Sequence, residues 1–248
     1  MHFDIIGDVH GCIDELNELI QKLGYMKQQG SYTAPADHKL VFLGDITDRG
    51  PNSMAVIKLV YQLVAEQKIA FYIPGNHCNK LYRYFLGNNV QQKYGLETTV
   101  AEWKNLQTQQ QSQIKEKFMY LYETAPLYFH FKEENLVIAH AGIKENLIGA
   151  ASERVKSFVL YGDTTGQTDE QGRPIRRDWA KKYQGKAWVI YGHTPVLEPR
   201  IVHRTINIDT GCVFGNKLTA LQFPDLTFVS VLSKQPFSPD RFTSFDSD

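Results

Sequence analysis

Residues 3–11 read Phe3-Asp4-Ile5-Ile6-Gly7-Asp8-Val9-His10-Gly11, a short apolar run that breaks at a glycine into a carboxylate and an imidazole. The pattern returns along the chain. Leu40 to Leu43 runs into Gly44-Asp45-Ile46-Thr47-Asp48-Arg49-Gly50, and Ala70 to Ile73 into Gly75-Asn76-His77. Leu136 to Ala139 runs into His140-Ala141-Gly142, and Ala187 to Tyr191 into Gly192-His193. Runs of this kind are strand candidates, and open α/β sheets place their ligands just beyond the carboxyl ends of their strands. Helical patterns alternate with the early strands: Ile13 to Leu23, apolar at 13, 16, 19, 20 and 23, and Ser53 to Val64 after the Gly50-Pro51 punctuation. Two further apolar stretches, Leu218 to Phe223 and Thr227 to Leu232, follow near the end. The expected class is an α/β layered domain whose second half adds a mixed or antiparallel sheet.

Asp8 and His10 stand two apart, and on an extended segment that spacing points both to one face, where they can grip one ion together. The full inventory is Asp8, His10, Asp45, Asn76, His140 and His193: carboxylates, imidazoles and an amide, without a thiolate. Such a set suits manganese, iron, zinc, cobalt or nickel at a catalytic centre better than a structural zinc. A carboxylate can bridge two ions, and paired ions roughly 3.5 to 4 Å apart clamp the attacking and leaving oxygens of an in-line displacement. Two divalent ions outweigh the two aspartates, so the site stays positive before Arg49 is added, as a phosphate anion requires. Each residue also has an ordinary explanation: a helix cap or turn for Asp8, Asp45 and Asn76, a satisfied core histidine for His140 or His193. The ordered recurrence at five strand ends argues against all of these at once.

Arg49 is either a surface turn residue or a guanidinium that forks onto phosphate oxygens, and Asp48 has a similar alternative as a turn former. With Asn76 taken by metal, an extended segment turns His77 elsewhere, where it can protonate a leaving oxygen. Asp48 beside it would hold the ring and favour its charged form. Asp209, in Asn207-Ile208-Asp209-Thr210-Gly211-Cys212, is a turn residue or a carboxylate that orients a metal-bound histidine.

Hydrophobic residues make up 42% of the 248, enough for one large core. Lys+Arg and Asp+Glu both count 27, so there is no basic surface for a long nucleic acid. Cys12, Cys78 and Cys212 suit neither a disulfide framework nor a CxxC site and fit a reducing compartment as packing residues. No leader-like N-terminus and no apolar stretch of membrane-spanning length is present, so a cytoplasmic protein without membrane contact is expected. We expect a single domain over 1–233, with a helical insertion at about 79–123 whose glutamine-rich stretch, Gln107 to Gln113, lies in solvent. A tail over 234–248, with Pro236 and Pro239, is expected to pack least.

The five blocks in this order resemble the calcineurin-like metallophosphoesterase superfamily, in the branch of serine/threonine phosphoprotein phosphatases and diadenosine tetraphosphatases. That resemblance implies a two-sheet β-sandwich flanked by helices with a dimetal site at the strand ends. It implies Asp8, His10 and Asp45 on the first metal, and Asp45, Asn76, His140 and His193 on the second. Arg49 would hold phosphate, His77 would be the general acid and Asp48 its partner. The stretches Gly75 to Tyr84, Tyr161 to Gly166, Ile175 to Ala180 and Asn207 to Gly215 are similar, nearly from end to end, to the bacterial PrpE family of bis(5'-nucleosyl)-tetraphosphatases. They are also similar to the phosphatase module of bacterial polynucleotide kinase-phosphatase, where the carboxylate matching Asp209 serves the active site. Cys78 stands where the wider branch has glutamate, and Thr47 where it has valine. Gly192-His193-Thr194-Pro195 lacks the second histidine of many nuclease relatives, which argues for phosphatase or pyrophosphohydrolase chemistry.

The resemblance therefore implies two divalent ions, manganese foremost, and a small nucleotide substrate. The implied reaction splits diadenosine tetraphosphate and similar compounds asymmetrically into a nucleoside triphosphate and a monophosphate. Lys80, Tyr82 and Arg83 can add charge and a stacking surface for the nucleotide, unless they belong to an amphipathic helix packed on the core. Arg154 is a further phosphate candidate. The rival expectations are a phosphoprotein or RNA-end phosphatase with the same centre, and a non-catalytic scaffold, which the survival of every ligand type disfavours.

Overall fold

The computed structural model describes all residues except 170, 171, 173 and 246–248. The chain opens with β1 (His2–Ile6), α1 (Ile13–Lys22), the hairpin strands β2 (Met26–Gln28) and β3 (Ser31–Thr33), and β4 (His38–Phe42). Next come α2 (Ser53–Tyr61), which continues through a π-turn at Gln62–Glu66, and β5 (Ala70–Tyr72). Three helices follow, α3 (Asn76–Phe85), α4 (Leu96–Lys104) and α5 (Thr108–Thr124). The second half carries β6 (Phe129–Phe131), β7 (Leu136–Ile138), α6 (Glu153–Tyr161), the hairpin β8 (Thr164–Thr168) and β9 (Pro174–Arg176), and β10 (Trp188–Tyr191). It ends with β11 (Arg200–Val202), β12 (Thr205–Asn207), β13 (Lys217–Phe223) and β14 (Thr227–Leu232).

Two five-stranded sheets result, ordered β14-β13-β1-β4-β5 and β11-β12-β10-β7-β6. In the first, β1, β4 and β5 run parallel while β13 and β14 are antiparallel. In the second, β7, β10 and β12 run parallel with antiparallel edges. The period-2 alternation of strands sorts the apolar side chains into layers. Phe3, Ile5, Val41 and Leu43 meet Leu136, Ile138, Ile190 and Ile206 between the sheets. Ile6, Leu40 and Phe42 face Leu16, Leu19 and Ile20 of α1 together with Val56, Ile57, Leu81 and Phe118. Val137, Val189 and Tyr191 pack on Val155 and Val159 of α6 and on Trp179. The architecture is the helix-flanked two-sheet sandwich that the resemblance implied.

Asp4 is a fully buried carboxylate on β1, satisfied by Tyr25 Oη at 2.8 Å, His38 Nδ1 at 2.9 Å and Gln222 Nε2 at 2.9 Å. Full pairing is what makes such burial tolerable. Beyond Ser233 no described residue is buried, yet the segment is tied down: Thr243 N–H donates to Pro195 O at 2.8 Å and Phe237 stacks on Phe242. The last three residues of the expected tail lie outside the described residues. No helix among the described residues is long and apolar enough to cross a membrane.

Ile190 sits on the central strand of the second sheet with no exposure. Ile190→Ala should cost about 2–5 kcal/mol of unfolding free energy, the range for emptying such a site. Urea unfolding followed by circular dichroism measures it, and a loss below about 1 kcal/mol would show that the two sheets do not share a close-packed interior.

Candidate active site

Every parallel strand of both sheets ends on the same edge and delivers a polar side chain there. Asp8 follows β1, Asp45 follows β4, Asn76 follows β5, His140 follows β7, His193 follows β10 and Asp209 follows β12. The loops that carry them are bent hard. His10, Asp45, Asp48, Arg49 and His193 all adopt left-handed backbone with φ between 37° and 74°. Such residues are uncommon and cluster where function demands a particular side-chain placement.

Asp45 lies at the middle. Its Oδ2 is 3.3 Å from His140 Nε2 and 3.9 Å from His10 Nε2, while Oδ1 accepts the His77 backbone N–H at 2.9 Å. That N–H is one of the unpaired donors at the start of α3, a natural seat for an anion. Ligand-capable atoms of His10, Asp45 and His77 all lie within 4.8 Å of one another, and so do those of Asp45, His140 and His193. His10 donates Nδ1–H to Thr47 O at 2.7 Å, and His140 donates Nδ1–H to Leu43 O at 3.0 Å. Metal-binding histidines are typically anchored in this way, with the other ring nitrogen aimed inward.

Asn76 Oδ1 and His193 Nδ1 each stand 3.1 Å from His140 Nε2, so with Asp45 Oδ2 three acceptors crowd one nitrogen that can carry a single proton. His193 Nε2 is buried without any partner. An orphaned buried nitrogen and a surplus of acceptors are what a cation would satisfy, and the donor set of oxygen and imidazole nitrogen suits a divalent transition metal. The residues present therefore fit a metal centre.

The electrostatics point the same way. Burial pushes the Asp8 carboxyl well up, and the Asp209 and Asp45 carboxylates add to it. Burial likewise raises Asp209 to about 6, against the opposing Gly211 N–H. For Asp45 burial also raises, but the imidazoles of His140, His77 and His10 outweigh it and hold the carboxyl well below its ordinary range. Burial would lower His140, yet Asp45 and Asp8 lift it to about 9. Burial, then the neighbouring Arg49, depresses His10, and burial, then His140, depresses His193. Asp8 and Asp209 thus lack enough cationic partners within the protein, whereas Asp45 draws on the surrounding imidazoles, and positive charge delivered beside Asp8 and Asp209 would be strongly favoured.

His77 Nδ1 meets Asp48 Oδ2 at 2.7 Å, and Asp48 Oδ1 accepts Thr99 Oγ1–H at 2.8 Å. Arg49 donates from Nη1 to His10 Nε2 at 2.7 Å and lies over the Phe214 ring. Its backbone N–H donates to Gly95 O. Thr99, Gly95 and Phe214 were not singled out from sequence; a threonine inside a helix gives no sign of contacting a loop 51 residues away. Asp8 Oδ1 accepts His193 N–H at 3.4 Å, and Asp209 sits against Gly192.

Local geometry at these strand ends differs from the extended backbone expected there. Asp8 and His10 are not on an extended segment, because β1 ends at Ile6 and His10 is left-handed; tertiary hydrogen bonding, not the pleat, turns His10 inward. Asn76 and His77 are the first residues of α3, so they diverge by helical rotation rather than by strand alternation. Tyr82 stacks one face on Tyr122 at 4.1 Å between centroids, bonds Glu123 and does not line the cleft beside Asn76. Arg154 is exposed near the start of α6 and does not line the cleft beside Asn76, whereas Lys80 and Arg83 do. The three cysteines are buried free thiols, and burial pushes Cys78 up to about 12, consistent with packing.

The family model for calcineurin-like phosphoesterase matches residues 1–197. Among curated proteins, a bis(5'-nucleosyl)-tetraphosphatase PrpE [asymmetrical] of Oceanobacillus iheyensis is 63% identical over 246 residues, 99% of this chain and 98% of its own length. The protein of the same name from Halalkalibacterium halodurans is 59% identical over 99% of both chains. A solved structure described as a candidate diadenosine tetraphosphatase superposes with a TM-score of 0.65 at 21% identity, over 94% of this chain and 93% of that one. A cold-active protein tyrosine phosphatase superposes at 0.55 with 17% identity, over 96% and 80%. At those identities the structures speak for the fold alone, while the end-to-end relatives and the family match speak for descent. Given that match and those relatives, the chain belongs to the calcineurin-like phosphoesterase family and, within it, stands with the bacterial PrpE proteins.

Proposed function

We propose that the chain is a dimetal hydrolase that splits dinucleoside polyphosphates such as diadenosine tetraphosphate asymmetrically, giving a nucleoside triphosphate and a monophosphate. The substrate follows from the names of the full-length relatives. The observation that carries the chemistry is that both ligand clusters share Asp45, the arrangement a bridging carboxylate requires. Asp8, His10 and Asp45 would hold one ion, and Asp45, Asn76, His140 and His193 the other, with manganese the expected metal. When bound, such a pair lowers the pKa of a water toward neutrality and draws charge from the phosphoryl oxygens.

The chain's own residues do the rest. The His10 Nε2 lone pair accepts from Arg49 and can serve either Arg49 or a cation; with His10 holding a cation, the Arg49 guanidinium would be free to fork onto phosphoryl oxygens. Water oxygen bonds to an outer phosphorus and gives up a proton to solvent, the phosphorus–oxygen bond toward the next phosphate breaks, and its electron pair leaves with the triphosphate. Asp48, itself fixed by Thr99, holds the His77 ring through Nδ1 and leaves Nε2–H to face the departing oxygen. Asp209 would be a carboxylate that orients a metal-bound histidine, His140 being the imidazole whose charge it feels. The same reading places the chain in the cytoplasm, which its three free thiols favour.

The direct test is product analysis of manganese-loaded protein against diadenosine tetraphosphate. ATP and AMP are expected, activity should vanish on chelation and return with manganese, and a preference for a phosphopeptide or an RNA end over the dinucleotide would overturn the substrate.

Asp45→Asn should lose more rate than either Asp8→Asn or Asn76→Ala, and more than the roughly 10- to 100-fold typical of losing an outer-shell partner. Metal content per chain, measured alongside turnover, should fall furthest in Asp45→Asn. Wild-type metal content in that variant would remove the bridge.

His77→Ala should slow alkyl phosphate esters on the order of 10²- to 10⁴-fold, since an alkoxide needs a proton to leave. Anhydride cleavage, whose leaving group is a phosphate, should fall distinctly less. Equal losses on both substrates at intact metal occupancy would mean that His77 steadies phosphate without delivering a proton.

A further inference from the structure

Beside Asn76 the centre opens into a cleft of ≈ 330 Å³. One wall is α3, the other the segment 89–91, with Tyr161 at the end of α6 closing the side. Asn79 fixes that closure, donating to Tyr161 Oη at 3.4 Å and accepting from Tyr122 Oη at 2.6 Å. The charged residues of the lining are Lys80 and Arg83, and no carboxylate lines it. Among the described residues neither cation forms an ion pair with an acid. Lys80 Nζ instead donates to the Lys93 carbonyl and lies 5.5 Å from the centroid of the Tyr94 ring. A carbonyl and an aromatic face hold the ammonium in place without neutralising it.

Asn76, Lys80 and Arg83 are spaced i, i+4, i+7 on α3 and so share one face of the helix. The row starts at the centre and runs outward for about 10 Å at 1.5 Å per residue. Lys80 also feels the charges of Asp48, Glu97 and Arg49, and the influence of Asp48 and Arg49 places the first cation of the row next to the site itself.

We propose that this cleft seats the longer polyphosphate arm of the substrate, the nucleoside triphosphate that leaves, and that Lys80 and Arg83 thereby set the asymmetric register of cleavage. The proposal rests on the dinucleoside polyphosphate reading above. A symmetric tetraphosphate can be cut at an outer phosphorus, releasing triphosphate, or at an inner one, releasing diphosphate. The centre grips one phosphoryl group and has no means of counting the others. Counting requires a second anion contact at a fixed distance, and two cations without an ion-pair partner in a row along a rigid helix supply it. The leaving triphosphate carries more negative charge than a diphosphate would, so the row favours the register that lays three phosphates along it.

The test uses manganese-loaded wild type, Lys80→Gln, Arg83→Gln and the double variant, with thermal melts to verify folding. We expect the preference in kcat/KM for diadenosine tetraphosphate over an aryl phosphate to fall roughly 10- to 100-fold in the double variant, the worth of charge-assisted contacts. The loss should lie mainly in KM, and the share of ADP among the products should rise above that of wild type. Inorganic tripolyphosphate, with manganese in excess, should inhibit aryl phosphate hydrolysis by wild type and do so far more weakly in the double variant. Proportional losses on both substrates, or an unchanged product ratio together with unchanged tripolyphosphate inhibition, would overturn the proposal. If wild type hydrolyses the aryl phosphate but not the dinucleotide, the substrate reading falls, and the tripolyphosphate measurement still decides whether the cleft binds a polyphosphate chain.

Discussion

A Cβ on Gly75 would stand 2.1 Å from Asp45 Oδ1, one on Gly192 2.3 Å from Asp8 Oδ1, and one on Gly44 2.8 Å from His140 Nδ1. Real Cβ atoms do not approach that closely, so the donors from one strand end occupy the volume where the neighbouring strand end would carry a side chain. The glycine that precedes Asp45, Asn76 and His193 is thus a steric condition for polar side chains from both sheets to meet. If the space were filled, Asp45 could not reach both His10 and His140, and the charges that perturb one another there would be separated by side-chain bulk.

The same crowding explains how strained backbone persists. Left-handed conformation in non-glycine residues costs on the order of 1–3 kcal/mol each, and five such residues sit in this centre. Tertiary hydrogen bonds fix them in return. His10 N–H donates to Asp45 O at 2.8 Å and Gly11 N–H to Ile46 O at 3.0 Å, zipping the loops after β1 and β4 together. Gly50 lets the His10 carbonyl come closer than any Cβ would allow. The two loops are therefore one unit, and the side chains of His10, Asp48 and Arg49 are aimed by it together. The charges of the centre demand this rigidity, because carboxylates buried beside one another relax apart unless their backbones are held.

The apolar runs before each glycine break were legible because buried parallel strands read as continuous hydrophobic segments. The β2–β3 and β8–β9 hairpins were not, since apart from Tyr32 in β3 no residue of their strands is buried, and little apolar patterning marks them. Residue types at the site were also legible, being the chemistry itself. Side-chain direction was not. His10 turns inward through tertiary hydrogen bonds rather than through the pleat, and His77 reaches Asp48 from a helix rather than a strand. Direction in these loops is decided by contacts such as Thr99 to Asp48, made between residues far apart in sequence, and one chain without alignment carries no trace of them.

Thr99 also shows what the three helices between β5 and β6 contribute. α4 supplies the hydroxyl that fixes Asp48, and the Gly95 carbonyl just before it accepts the Arg49 N–H. α3 begins at Asn76, so its first turn belongs to the centre and its later turns to the cleft. α5 packs against α3 and α2, with Tyr122 holding both Asn79 and the Tyr82 ring. One segment therefore sets the Asp48 and His77 pair, steadies Arg49 and shapes the adjoining space. A shift of α3 by a fraction of an ångström would move His77 and Lys80 together, because a helix transmits displacement along its axis with little loss. Any contact on the outer turns of α3 is thereby linked to the position of His77 and, through it, to the Asp48 carboxylate.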